Sequence, residues 1–182
     1  MPSGSEPVSV DLETLVRLFY PDGDELGRFF EKSAEALPEA YQRLLAHSGH
    51  MTETVEAHHA DRVDVEVLAK RVTPTHYARK ILLRRQRDRR VVQFGIMRVA
   101  FAYLPDAARA EIEAETTPLG RVLIEHNVLR WVELVALWRV EPGVDLRRLF
   151  NLSPGVETYG RTALIYCNHE PAVELLEIVT PE

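Results

Sequence analysis

The sequence predicts an α+β fold, a mainly antiparallel β-sheet with flanking helices, and three observations predict it. Apolar residues recur at helical spacing through roughly the first fifty residues. From Val63 the period changes, and Val63, Val65 and Val67 alternate with charged residues in the pattern of a half-buried strand. The chain closes on two apolar arms, 159–167 and 172–179, which read as a hairpin across 168–171. Helices first, then strands with helices inserted, is α+β ordering.

Taken in order, residues 1–8, rich in Pro, Ser and Gly, read as a flexible tail, and 9–182 as a single domain. Asp11 is placed to cap a helix carrying Leu12, Leu15, Val16 and Phe19, which Pro21 ends. A second amphipathic helix is expected from Asp24, with Leu26, Phe29, Phe30, Leu37, Tyr41, Leu44 and Leu45, kinked or broken at Pro38. After Ser48-Gly49 a short helix covers 51–58. Two further strands, 77–83 and 91–103, flank an Arg-rich turn. Residues 105–115 are helical, with proline at the first turn, and a short helix follows over 117–126. A long β-rich run at 128–140 contains Trp131 and Trp138. A helical turn at 145–150 precedes the closing hairpin.

Composition narrows the function. With 182 residues and 46% hydrophobic content the chain can bury a core and an internal ligand cavity. Its net charge of −6 opposes bulk attraction to nucleic acid or anionic membrane. Charge is nevertheless segregated. The stretch 70–90 holds Lys70, Arg71, Arg79, Lys80, Arg84, Arg85, Arg87, Arg89 and Arg90 against Asp88 alone. A solvated hairpin tip accounts for most of this run; steering of an anionic substrate is the functional alternative. The run lacks interleaved aromatics, zinc-finger spacing and a helix-turn-helix pattern, so no nucleic-acid partner is expected. A single cysteine, Cys167, excludes an intramolecular disulfide, and no apolar stretch reaches membrane-spanning length. No signal peptide is visible, so the expected address is the cytoplasm, with no membrane partner.

Phosphate loops, nucleophile elbows, HExxH and dinucleotide fingerprints are all missing. His58-His59 point apart on any regular element and read as surface histidines, so no metal is expected. Three local sequences say more: Gly49-His50-Met51-Thr52-Glu53, Thr117-Pro118-Leu119-Gly120-Arg121, and the chain's end, where Tyr159-Gly160-Arg161 leads into the hairpin and Glu177-Ile178-Val179-Thr180-Pro181. In order and spacing they resemble the chorismate lyase family from about Leu44 to Pro181. More distantly they are similar to the effector-binding (UTRA) domains of bacterial transcription regulators.

That resemblance implies a chorismate lyase-like fold with an enclosed ligand pocket and a site of named residues. The family's ring-carboxylate arginine matches Arg79 in Arg79-Lys80-Ile81-Leu82-Leu83, and backbone amides at Met51 and Leu119 hold the same carboxylate. The late acid of the family matches Glu177, which with Arg79 forms the expected catalytic pair. A guanidinium suits the role because it is planar, two-pronged and permanently charged. Arg79 also shares strand parity with Tyr77 and Ile81, an apolar side that favours burial with an anion. Parity allows only one of Glu174 and Glu177 to face inward; the Glu-x-x-x-Pro context favours Glu177. Arg98 and Arg161 are further substrate-binding candidates, for a second carboxylate or as members of ion pairs. Arg121 reads as structural, and His50 and His126 lie beside the motif positions.

The activity so implied is a carbon–oxygen lyase that eliminates pyruvate from chorismate to leave 4-hydroxybenzoate, for ubiquinone or specialised aromatic metabolism. It needs no cofactor, and its partner is a small anionic substrate. Two alternatives stand beside it. One is an isomerase or cyclase on the same scaffold acting on another acid or polyketide-like intermediate; the other is a non-catalytic small-ligand-binding module. The long Trp-containing run and the heavy basic turn depart from the family pattern and bear on substrate identity more than on fold.

Overall fold

The computed structural model describes residues 10–181; the expected tail at 1–8 lies outside the described residues. Asp11 caps α1 (Leu12–Arg17), its carboxylate accepting from the Thr14 amide at 3.2 Å. The chain then departs from expectation. In place of a long helix from Asp24 there is a 3-10 turn, an edge strand β1 (Gly27–Lys32), a second 3-10 turn, and only then α2 (Glu39–Leu45). Leu26, Phe29 and Phe30 fit helical spacing locally, but pairing with a distant strand decides the outcome. Gly27, at φ +153°, lies so close to that strand that a Cβ there would sit 2.6 Å from the Glu141 carbonyl oxygen.

From Met51 onward the elements follow the sequence reading. They are α3 (Met51–His59), β2 (Val63–Val72), β3 (His76–Arg85), β4 (Val91–Ala100), α4 (Asp106–Ala114), α5 (Leu119–Glu125), β5 (Leu129–Pro142), α6 (Val144–Phe150), β6 (Thr158–Cys167) and β7 (Glu170–Val179). The strand expected to run to residue 103 stops at Ala100, where Phe101–Tyr103 turn as a 3-10 helix towards α4. All seven strands pair antiparallel in the order β1-β5-β6-β7-β4-β3-β2. The α+β class, a mainly antiparallel sheet with flanking helices, is as the sequence predicts.

Side chains alternate across this sheet and fill two opposite faces. On one, Leu82, Phe94, Ile96, Leu164 and Leu176 pack with Leu15 and Val16 of α1 and with Leu146 and Phe150 of α6. The other face carries two clusters. Ile112, Leu119, Val122 and Leu123 of α4 and α5 cover Met97, Ile165 and Leu175. Leu44, Leu45, Met51 and Val55 of α2 and α3 cover Ile81, Leu83 and Leu137. Where these two clusters meet, the sheet face opens into a cavity whose lining draws on both.

The basic run is locally neutralised. Arg84 pairs with Glu66, Arg85 with Asp88 at 2.5 Å, Arg89 with Asp64 at 2.6 Å and Arg87 with Asp61 at 3.8 Å. Acids on and beside β2 thus supply the countercharge that the stretch 70–90 itself lacks. The uncompensated field that substrate steering requires is correspondingly weakened.

Candidate functional site

Four pieces of the fold converge on the cavity. The first turn of α3 supplies His50, Met51 and Thr52; the start of α5 supplies Pro118, Leu119 and Gly120. The floor comes from β3 and β4 with Arg79, Ile81, Gln93, Gly95 and Met97, and from β6 and β7 with Arg161 and Glu177. The empty space, counted out to its open mouth and into solvent, is about 550 Å³.

Arg79 is 1% exposed. Its guanidinium donates to the backbone carbonyls of Ile112 at 3.3 Å and Thr117 at 3.4 Å, long contacts near the C-terminal end of α4. The negative end of that helix and these two carbonyls offset part of the charge. Burial pulls the group below its ordinary pKa, with Tyr77 and Glu115 opposing, but an arginine stays charged. Glu115 is itself held by Lys70 at 2.8 Å and by the Tyr77 hydroxyl at 2.9 Å. Burial, with Glu115 adding to it, pushes Tyr77 up to about 12. No carboxylate among the described residues pairs with Arg79, and its Nε has no hydrogen-bond partner.

Arg161, equally buried, is treated differently. Its Nε donates to Glu177 Oε2 at 2.8 Å, and its terminal nitrogens donate to the carbonyls of His47 at 2.9 Å and Gly49 at 3.0 Å. It therefore clamps the segment leading into α3 onto the sheet and fixes the Glu177 carboxylate at the cavity wall. The choice between the two late acids is also plain in the geometry. Glu177 pairs in register with Gly95 on the cavity face, while Glu174 pairs with Arg98. Arg98 is bound to Glu174 by two hydrogen bonds, the second at 2.8 Å, and does not line the cavity. An odd register separation puts it on the opposite side of the sheet. Five of the six candidate residues, Arg79, Glu177, Met51, Leu119 and Arg161, therefore share one cavity; Arg98 stands apart in an ion pair.

Arg121 ties the two lid helices together through Glu56, whose carboxylate also accepts from the Val63 amide at 3.0 Å. His126 faces Glu111 at 2.6 Å and is not among the lining residues, whereas His50 is. Burial pulls His50 below the ordinary histidine value, favouring a neutral ring. Neither α3 nor α5 has a side-chain cap, so the first-turn amides at Met51 and Leu119 keep their donor capacity beside the cavity.

One observation gathers these details. Among the described residues, three buried side-chain atoms lack a hydrogen-bond partner: Arg79 Nε, His50 Nε2 and Gln93 Oε1. All three residues line this cavity. Sequence reasoning passed over Gln93 and Gly95, although an amide and a glycine inside an apolar strand, Val92-Gln93-Phe94-Gly95-Ile96, are signals of close approach or of a polar partner.

PhnF from Mycobacterium smegmatis superposes at a TM-score of 0.58 and 11% identity, over 91% of this chain and 94% of that one. A "putative regulator" from Escherichia coli CFT073 superposes at 0.51 and 12% identity, over 65% of this chain and 96% of that one. The chain shares their fold. It is the chorismate lyase-like α+β arrangement, built here on seven antiparallel strands. YydK from Bacillus subtilis, described as a "possible transcriptional regulator", aligns over 64% of this chain at 12% identity and a TM-score of 0.49; this chain spans 57% of that protein's length. No family model matches the sequence, and no curated protein is similar to it. Among the described residues no helix is long and apolar enough to cross a membrane.

Proposed function

We propose that the chain binds a small planar organic acid in the cavity beneath α3 and α5, as a ligand-binding module, with the acid's carboxylate on Arg79. The observation that carries this reading is the buried guanidinium with an unpartnered Nε and, among the described residues, no carboxylate paired with it. A lone buried cation costs several kcal/mol, and an anion entering the cavity offsets that cost with charge-assisted hydrogen bonds. The first-turn amides at Met51 and Leu119 add donors without adding side chains. The apolar walls, Ile81, Met97, Leu119, Ile165 and Leu175 among them, suit a ring. The description of the Escherichia coli neighbour as a regulator is consistent with effector binding.

A second reading, elimination of pyruvate from chorismate, is favoured by one specific arrangement: Glu177, an acid able to take part in proton movement, shares the cavity with Arg79. Thermal unfolding with 4-hydroxybenzoate, and pyruvate release from chorismate, separate the two. Ligand at a hundred times its Kd stabilises by about 2.7 kcal/mol, and Arg79→Met abolishes the shift. Stabilisation without pyruvate supports the module. Pyruvate above the uncatalysed rate, lost in Glu177→Gln, supports the lyase instead. If neither 4-hydroxybenzoate, chorismate nor any related aromatic acid shifts the transition, both readings fall.

A further inference from the structure

A carboxylate on Arg79 satisfies one of the three unpartnered atoms and leaves Gln93 unexplained. Gln93 is 3% exposed, and its Oε1 has no partner. It lies on the cavity face of β4, followed on the same face by Gly95 and by Met97, the register partner of Arg79. Four residues of strand put Gln93 about 13 Å from Met97 along β4. Glu177 is level with Gly95, so Gln93 lies beyond it, at the end of the floor away from Arg79. Gly95 contributes no side chain between the two ends. A Cβ there would press on Ile81 Cδ1 at 3.3 Å, so the glycine makes room for the Ile81 side chain, which lines the cavity beside it.

A carbonyl-type oxygen only accepts hydrogen bonds, and leaving it dry and unpaired is costly. We propose that Gln93 is the distal specificity residue of the cavity, and that the ligand is an elongated acid bearing a neutral hydrogen-bond donor, a hydroxyl in kind, at the end remote from its carboxylate. This deepens the carboxylate-binding reading above and rests on it. A ligand that stops level with Glu177 leaves the amide oxygen desolvated; a longer one completes it.

Calorimetric titration of the full chain with benzoate, 4-hydroxybenzoate, 4-hydroxycinnamate and 4-methoxycinnamate tests the proposal. In the unaltered chain 4-hydroxycinnamate binds about ten-fold or more tightly than 4-methoxycinnamate, which has similar length but no donor. Gln93→Leu, close in size, erases that ratio while benzoate affinity stays within about two-fold. Gly95→Val, which pushes Ile81 into the cavity between the two ends, weakens both cinnamates more than it weakens benzoate. Equal affinity for the hydroxy and methoxy acids in the unaltered chain overturns the proposal, as does a ratio that survives Gln93→Leu; carboxylate binding on Arg79 then still stands. If none of the four acids binds, or if Arg79→Met binds them as well as the unaltered chain, carboxylate binding itself fails and takes this inference with it.

Discussion

At the scale of single residues, the two buried arginines of this molecule invite opposite predictions. Arg161 spends its donors on Glu177, His47 and Gly49; Arg79 makes two long contacts to carbonyls, lies beside Tyr77, pairs with no carboxylate among the described residues and leaves its Nε idle. A cation kept buried without a counterion destabilises the fold that keeps it. Replacing Arg79 with methionine, of similar reach and no charge, should therefore leave the ligand-free protein as stable as before or more stable, by about 1–4 kcal/mol. For a chain of this length each kcal/mol raises the melting temperature by about 2–4 °C. The same change should remove the stabilisation by aromatic acids. A substantial fall in the melting temperature of Arg79→Met would mean that the guanidinium holds the structure together and is not reserved for a ligand.

At the scale of elements, the clamp made by Arg161 connects parts of the chain far apart in sequence. It joins β6, β7 and the segment leading into α3, and so sets where the first turn of α3 meets the cavity. Arg161→Met strands a buried carboxylate at Glu177 and two carbonyls, and should cost about 3–5 kcal/mol in chemical denaturation. Changing Glu177 to methionine as well should recover much of that loss, because the unpaired charge goes with it. If the double variant is no more stable than the single, the cost lies in the loop carbonyls and not in the ion pair. This clamp also marks where sequence reading stops. The alternation at Val63, Val65 and Val67, the closing hairpin and the inward parity of Arg79 were legible because each is a local, periodic signal. The carbonyl partners of Arg161, at His47 and Gly49, were not, since they lie more than a hundred residues away. Strand β1 was missed for a related reason: Leu26, Phe29 and Phe30 carry helical spacing, and only the pairing of β1 with β5, at the close approach of Gly27, makes the segment a strand. Gln93 gave a signal, a lone amide in an apolar strand, but no spacing that tied it to Arg79.

At the scale of the whole molecule, the sheet divides two unlike halves. The face under α1 and α6 is a closed apolar core. The opposite face is interrupted by a hollow that collects every unpartnered buried polar side-chain atom found among the described residues. The lid over that hollow is made of two helix starts without side-chain caps, those of α3 and α5, linked through Arg121 and Glu56. Uncapped first turns open locally at low cost, so their amides should exchange quickly in the ligand-free protein. An acid seated on Arg79 would draw on those amides and hold both turns against the sheet. Hydrogen exchange followed by mass spectrometry should then show slower exchange at 51–53 and 119–121 when 4-hydroxybenzoate is present. The first turn of α6, at Val144, lies on the far face, has no side-chain cap either, and serves as the internal control. Protection confined to the two lid turns places the ligand between them. Equal protection at the start of α6 would instead report a general gain in stability, and protection at α6 alone would put the acid on the wrong side of the sheet for Arg79 to hold it.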